Sequence, residues 1–95
     1  MKRITFTEYA RVCIEKLERE GRYSTAHLYS NALRSYTEYL NKPIIQFRDF
    51  SREKLRLYEQ WLIDRNKRSN TISTYMRMLR SIYNKGVDSG YTVYV

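Results

Sequence analysis

Residues 69–87 read SNTISTYMRMLRSIYNKGV, and the rest of the chain is read outward from them. Ile72, Tyr75, Met76, Leu79, Ile82, Tyr83 and Val87 recur at three- and four-residue intervals, which gathers apolar side chains on one side of an α-helix. At about 100° per residue, Asn70, Ser73, Thr74, Arg77, Arg80, Ser81 and Asn84 share the sector facing away from that stripe. The stretch predicts one long helix opening at Ser69 or Asn70, with a core side and a side of arginines, hydroxyls and amides.

Residues 66–69 break the pattern upstream of this helix. Before them Ser51 is an expected N-cap, and Phe50 and Leu55 stand at the two positions of a hydrophobic staple that would set the angle of the third helix. Leu55, Tyr58 and Leu62, with Trp61 beside them, give that helix its buried side. Pro43 interrupts the chain, and Ile44-Ile45-Gln46-Phe47 is predicted as an extended segment tucked against the core, a connector and not a domain boundary. The second helix restarts at Ser24 and Thr25 and ends near Asn41. It carries a stripe of Tyr29, Ala32, Leu33, Tyr36 and Leu40 opposite His27, Ser30, Asn31, Arg34 and Glu38. The first helix is expected over about residues 5–20, with Thr5 and Glu8 at capping-box spacing and Gly21 as the stop. Its inner positions are Tyr9 or Ala10, Cys13 or Ile14, and Leu17. Residues 91–95 are expected to begin a short strand or a linker.

A chain of 95 residues with 42% hydrophobic residues, one Pro and three Gly suits one domain of helices packed on a single core. The expected class is all-α, with four helices. Eighteen Lys and Arg against ten Asp and Glu leave a formal charge of +8, which suits a partner carrying many negative charges. The single cysteine, Cys13, excludes an internal disulfide and cannot alone build a zinc site. No apolar run approaches the roughly 18 residues of a membrane span, and the N-terminus lacks a signal-peptide core. A cytoplasmic setting is expected.

Between Asp64 and Asp88 the sequence has no acidic residue, while Arg65, Lys67, Arg68, Arg77, Arg80 and Lys85 are basic. A polyanion meets no local repulsion there. The helix start at Ser69-Asn70-Thr71 offers unpaired amides and a positive dipole end, with Lys67 and Arg68 beside it for a phosphate. The plainer alternative is that Ser69 or Asn70 caps the helix and the arginines merely solvate it. His27 has no neighbouring carboxylate or cysteine cluster, so a DNA contact suits it better than catalysis or metal binding. The ten tyrosines mostly fall on apolar stripes, as core residues with a hydrogen-bonding tip. No nucleophile, base and charge-stabilising group recur at a recognisable spacing, and Tyr91 and Tyr94 have no assigned partners. Cys13 reads as a small hydrophobe. No catalytic residue, metal or cofactor is expected.

Three segments together carry a family resemblance: Thr5-Phe6-Thr7-Glu8-Tyr9; Gly21-Arg22-Tyr23-Ser24-Thr25-Ala26 with Tyr29; and the run from Ser69 to Arg77 continued by Leu79-Arg80-Ser81-Ile82-Tyr83-Asn84-Lys85. Over about residues 4–90 the chain resembles the SAM-like core-binding domain of tyrosine recombinases, especially integrases of phages and of mobile elements from Bacteroides-type bacteria. The resemblance implies a SAM-like orthogonal bundle of four helices forming half of a C-shaped clamp on double-stranded DNA. It also implies a separate C-terminal domain that cuts the strand through a 3′-phosphotyrosine, and neighbouring recombinase protomers as partners. The family's catalytic residues lie in that following domain, so the chain is expected to be a non-enzymatic fragment of a longer integrase. By the same likeness the second and fourth helices face DNA. Candidate contacts are then Arg22, Thr25, His27, Asn31 and Arg34, with Lys67, Arg68, Ser69, Asn70, Thr71, Ser73, Thr74, Arg77, Arg80 and Asn84. Gly86 stands where the family commonly has Ala, and is expected to loosen the last turn by about 1 kcal/mol. Two rival readings are a helical protein-interaction module, which an exposed aromatic patch would favour, and a helix-turn-helix regulator, which needs a tight turn between the last two helices.

Overall fold

Thr5 opens the first helix: its hydroxyl accepts from the Glu8 backbone N–H and donates to the Glu8 carboxylate, both at 3.0 Å. The carboxylate thus answers at the hydroxyl, where the capping-box spacing predicted the cap residue's own amide. The computed structural model describes residues 4–90, so the expected change of character over residues 91–95 lies outside the described residues. Four helices follow in order: α1 (Phe6–Arg19), α2 (Tyr23–Leu40), α3 (Arg52–Asp64) and α4 (Ser69–Asp88), and among the described residues there is no strand. Gly21, at φ +79°, turns the chain after α1, and Asn41, left-handed at φ 55°, ends α2. Ser51 caps α3 by accepting from the Lys54 N–H at 3.1 Å.

The connector between α2 and α3 forms part of the core. Ile45, Phe47 and Phe50 are buried within it, whereas Ile44 points outward and is 47% exposed. Its second half is a 3-10 turn over Phe47–Asp49; Gln46 before it is extended, so the structure corrects the expected extended segment at Phe47. The turn forms because Asp49 accepts from the Gln46 N–H at 2.9 Å and pairs with Lys42 at 3.3 Å and Lys54 at 3.8 Å. Burial by itself would raise the Asp49 carboxyl; the Gln46 amide and the two lysines outweigh it and hold the group below its ordinary range. Thr7 ties the other half to α1: its hydroxyl accepts from the Ile45 N–H at 2.8 Å, and its own N–H donates to the Ile45 carbonyl at 3.2 Å. A first-turn amide that α1 cannot satisfy internally thereby finds a partner.

Aromatic rings fill most of the interior. A chain of contacts runs from Phe6 through Phe50 (4.1 Å between centroids) to Tyr36 (4.7 Å) and Tyr58 (4.9 Å), and Tyr39 and Trp61 close its far end. The buried phenols keep partners, as their polar tips require. Tyr36 donates to the Asp49 carbonyl at 2.8 Å, Tyr58 pairs with Ser35 at 2.6 Å, and Tyr9 pairs with Ser89 at 3.2 Å.

α4 is helical through Asp88, so Gly86 does not undo its last turn. A Cβ at Gly86 would lie 2.5 Å and 2.7 Å from two ring atoms of Phe47. Glycine there leaves room for the connector's phenylalanine, a packing reason that stands beside the expected cost to the last turn. α4 packs against α2, α1 and α3, and this burial of its apolar stripe leaves the opposite side to solvent.

Candidate nucleic-acid interface

The four residues between α3 and α4 set where the candidate surface begins. Asn66 adopts the left-handed conformation at φ 61°, and the Lys67 N–H reaches back to the Leu62 carbonyl at 3.2 Å. Arg68 is then the extended N-cap residue of α4 and makes no side-chain cap hydrogen bond. Neither Ser69 nor Asn70 caps the helix, so among the described residues its first amides have no side-chain acceptor. The expected positive dipole end is therefore open, flanked by exposed Lys67 and Arg68.

Along the outward side of α4, Ser69, Asn70, Ser73, Arg77, Arg80 and Asn84 are exposed, and Thr71 and Thr74 half-buried. Ser69, Ser73, Arg77, Arg80 and Asn84 line one open groove of about 810 Å³, with Ile72 and Met76 behind them and Glu59 and Ile63 of α3 along its edge. Among the described residues, neither Arg77 nor Arg80 forms an ion pair. A helical wheel could not reveal Glu59 and Ile63: they sit on another helix, and nothing local marks them as neighbours of Arg77. Ser81 is a partial correction. It shares the sector, but its hydroxyl is already bonded to the Tyr29 phenol at 2.8 Å.

The helix 2 candidates divide. Asn31 and Arg34 meet Lys67 and Tyr75 in a small recess near the start of α4, together with Ser35, Glu38, Trp61 and Arg65. Arg65 is spent there on its own fold: it pairs with Glu38 at 3.0 Å and lies over the Trp61 ring at 4.3 Å. Arg34 also lines a second groove against Arg11, Glu15 and Glu18 of α1. His27 is exposed on α2, while Thr25 is half-buried. Arg22 lies apart from the rest, in a recess with Tyr9, Cys13 and Lys16 of α1 and with the end of α4. Burial raises the Cys13 thiol above its ordinary pKa, against the lowering effects of a bond to Tyr9 and of Lys85 and Lys16, which disfavours a reactive thiolate.

Two carboxylates border the α4 groove: Glu59 along its edge and Asp88 at its end. Between them the surface is cationic and rich in hydrogen-bond donors, which is the chemistry that bonds phosphate oxygens and base edges. Among the described residues no three His, Cys, Asp or Glu side chains gather to hold a metal ion. No described helix is long and apolar enough to cross a membrane.

Fold and surface together define a small helical module with a cationic groove along α4. Residues 5–94 match the family described as Phage integrase SAM-like domain, and the chain belongs to that family. No curated protein and no solved structure matches the chain.

Proposed function

We propose that this chain is the core-binding module of a tyrosine-recombinase integrase, laying the outward side of α4 against double-stranded DNA. The observation that carries this reading is the pair Arg77 and Arg80, exposed and free of ion pairs, with Ser73 and Asn84 in one groove. The module supplies affinity and part of the site recognition. Strand cutting belongs to a catalytic domain elsewhere in the parent protein, and the DNA-bound protomers of that recombinase are its partners. Such a protein works in the bacterial cytoplasm, at the nucleoid. Asn31, Arg34 and Lys67 form a second set of contacts beside the start of α4, and His27 extends it along α2.

The rival readings have less behind them. Among the described residues Tyr23, at 68% exposed, is the one aromatic left open to solvent, so no aromatic patch favours a protein-binding role. The four-residue connection before α4 does have the length a helix-turn-helix needs. A stable dimer on palindromic half-sites would favour that version; a family spanning all four helices favours the recombinase module.

Fluorescence-anisotropy titrations of a random-sequence duplex over a series of salt concentrations test the proposal. Each phosphate contact adds about −0.9 to the slope of log affinity against log salt. Arg77→Ala and Arg80→Ala should each make the slope less steep by about that amount, with the thermal midpoint unchanged. Unaltered slopes in both variants would remove α4 from the interface.

A further inference from the structure

We infer that Tyr29, Ser81 and Lys85 form a built receptor for one backbone phosphate of the DNA, seated in the wall of the α4 groove. The inference rests on the DNA reading above and adds three residues absent from the candidate contacts: Tyr29, read as core, Ser81, on the outward sector, and Lys85, read as one of the basic residues of the acid-free stretch. Ser81 and Lys85 both line the groove that holds Arg77 and Arg80. Tyr29 lies behind them on α2 and is only 4% exposed.

One hydrogen bond in this cluster has a fixed direction. The Lys85 ammonium can only donate, and it does so to the Tyr29 phenol oxygen at 2.9 Å. The phenol also shares a 2.8 Å bond with the Ser81 hydroxyl, in which either oxygen can donate. When the phenol donates in that bond, the Ser81 hydrogen is left for another acceptor. Lys85 keeps two further ammonium hydrogens, and at 5.1 Å from the Tyr29 ring centroid its nitrogen sits beyond the phenol oxygen. A lysine on an exposed helix normally samples many rotamers and loses that freedom on binding. Here the phenol has already placed it, one helical turn from Ser81 and two from Arg77. The arrangement offers a placed charge and a neutral hydroxyl side by side, which fits a phosphate oxygen pair.

Tyr29 is thus a positioning residue, and Ser81 and Lys85 are the groups that touch the phosphate. The cluster gives α2 a further part in the interface, besides Asn31 and Arg34 near the start of α4. α2 contributes from behind, through a core tyrosine.

Salt-dependent anisotropy titrations on the same random duplex test the cluster with Lys85→Gln, Ser81→Ala and Tyr29→Phe, each checked by thermal melting. Lys85→Gln should make the log–log slope less steep by about 0.9, the loss of one phosphate contact. Ser81→Ala and Tyr29→Phe remove no charge, so they should weaken binding about three- to tenfold and leave the slope in place. If Arg77→Ala and Arg80→Ala reduce the slope while Lys85→Gln does not, the receptor is refuted and the DNA reading stands. If the unaltered protein fails to bind duplex, or binds poly-glutamate equally well, both fall together.

Discussion

Replacing Gly86 with Ala pits two effects of opposite sign against each other, and the structure decides between them. Helix propensity favours Ala by about 1 kcal/mol in a helix interior. Against this, the new Cβ would lie 2.5 Å from one Phe47 ring atom and 2.7 Å from the next. Carbon contacts relax near 3.5 Å, so the ring must retreat by roughly 1 Å. It has little room to do so. Phe47 is 7% exposed and meets Phe6 edge-on at 5.6 Å, with Tyr9 and Tyr83 each at 6.1 Å. Its backbone is fixed in the turn that Asp49 pins. Overpacking of this kind costs about 1–3 kcal/mol, so the net change is a loss of about 0–2 kcal/mol. Urea unfolding followed by circular dichroism, run as a double-mutant cycle with Phe47→Leu, separates the two effects. With Phe47 in place, Gly86→Ala should destabilise. In the Phe47→Leu background the obstructing ring is gone, and the same change should stabilise by up to about 1 kcal/mol. Stabilisation by that amount in both backgrounds would show that the close approach is not what keeps glycine there.

Three further outcomes follow from the charges and hydrogen bonds described above. Asp49 is held below its ordinary pKa, so its contribution to stability is present above about pH 4 and is lost as pH falls through the folded value; Asp49→Asn should lower neutral stability and flatten the acid limb of a pH-melting series. Burial pushes the Tyr58 phenol up to about 12 from an ordinary 10.0, so stability should drop as pH rises from 10 towards 12, and Tyr58→Phe should reduce that drop while leaving the share due to Tyr36, which burial also raises. Glu59 faces the groove as a carboxylate, so Glu59→Gln should tighten duplex binding about two- to fivefold at low salt, the gain shrinking as salt rises; unchanged affinity across the series would place the duplex away from α3.

Local signals located the helices well. Thr5 and Ser51 cap where their spacing indicated, and the apolar positions of α4, from Ile72 to Ile82, are buried or half-buried as their period requires. Asn41 ends α2 ahead of Pro43, as a proline close behind a helix demands. The exposed side of α4 was legible for the same reason, because a single helix fixes which of its residues share a side. What escaped are contacts between distant segments. Nothing local marks Thr7 as the residue that holds Ile45 across the fold. Asp49 gave no hint of burial, since the lysine that offsets its charge from α3 is recognisable only once α3 is in place. Ser81 looked free on the wheel, but α2 brings Tyr29 to it. Gly86 was read from propensity alone, whereas the ring of Phe47, far back in the connector, decides it.

The placement of DNA on α4 is tested most directly by amide chemical-shift mapping of the labelled protein titrated with a random duplex. The largest changes should follow Ser69, Asn70, Ser73, Arg77, Arg80 and Asn84, with a weaker set at Asn31 and Lys67. Changes concentrated instead on the outer side of α1, around Arg11, Glu15 and Glu18, with the α4 amides unmoved, would contradict the account.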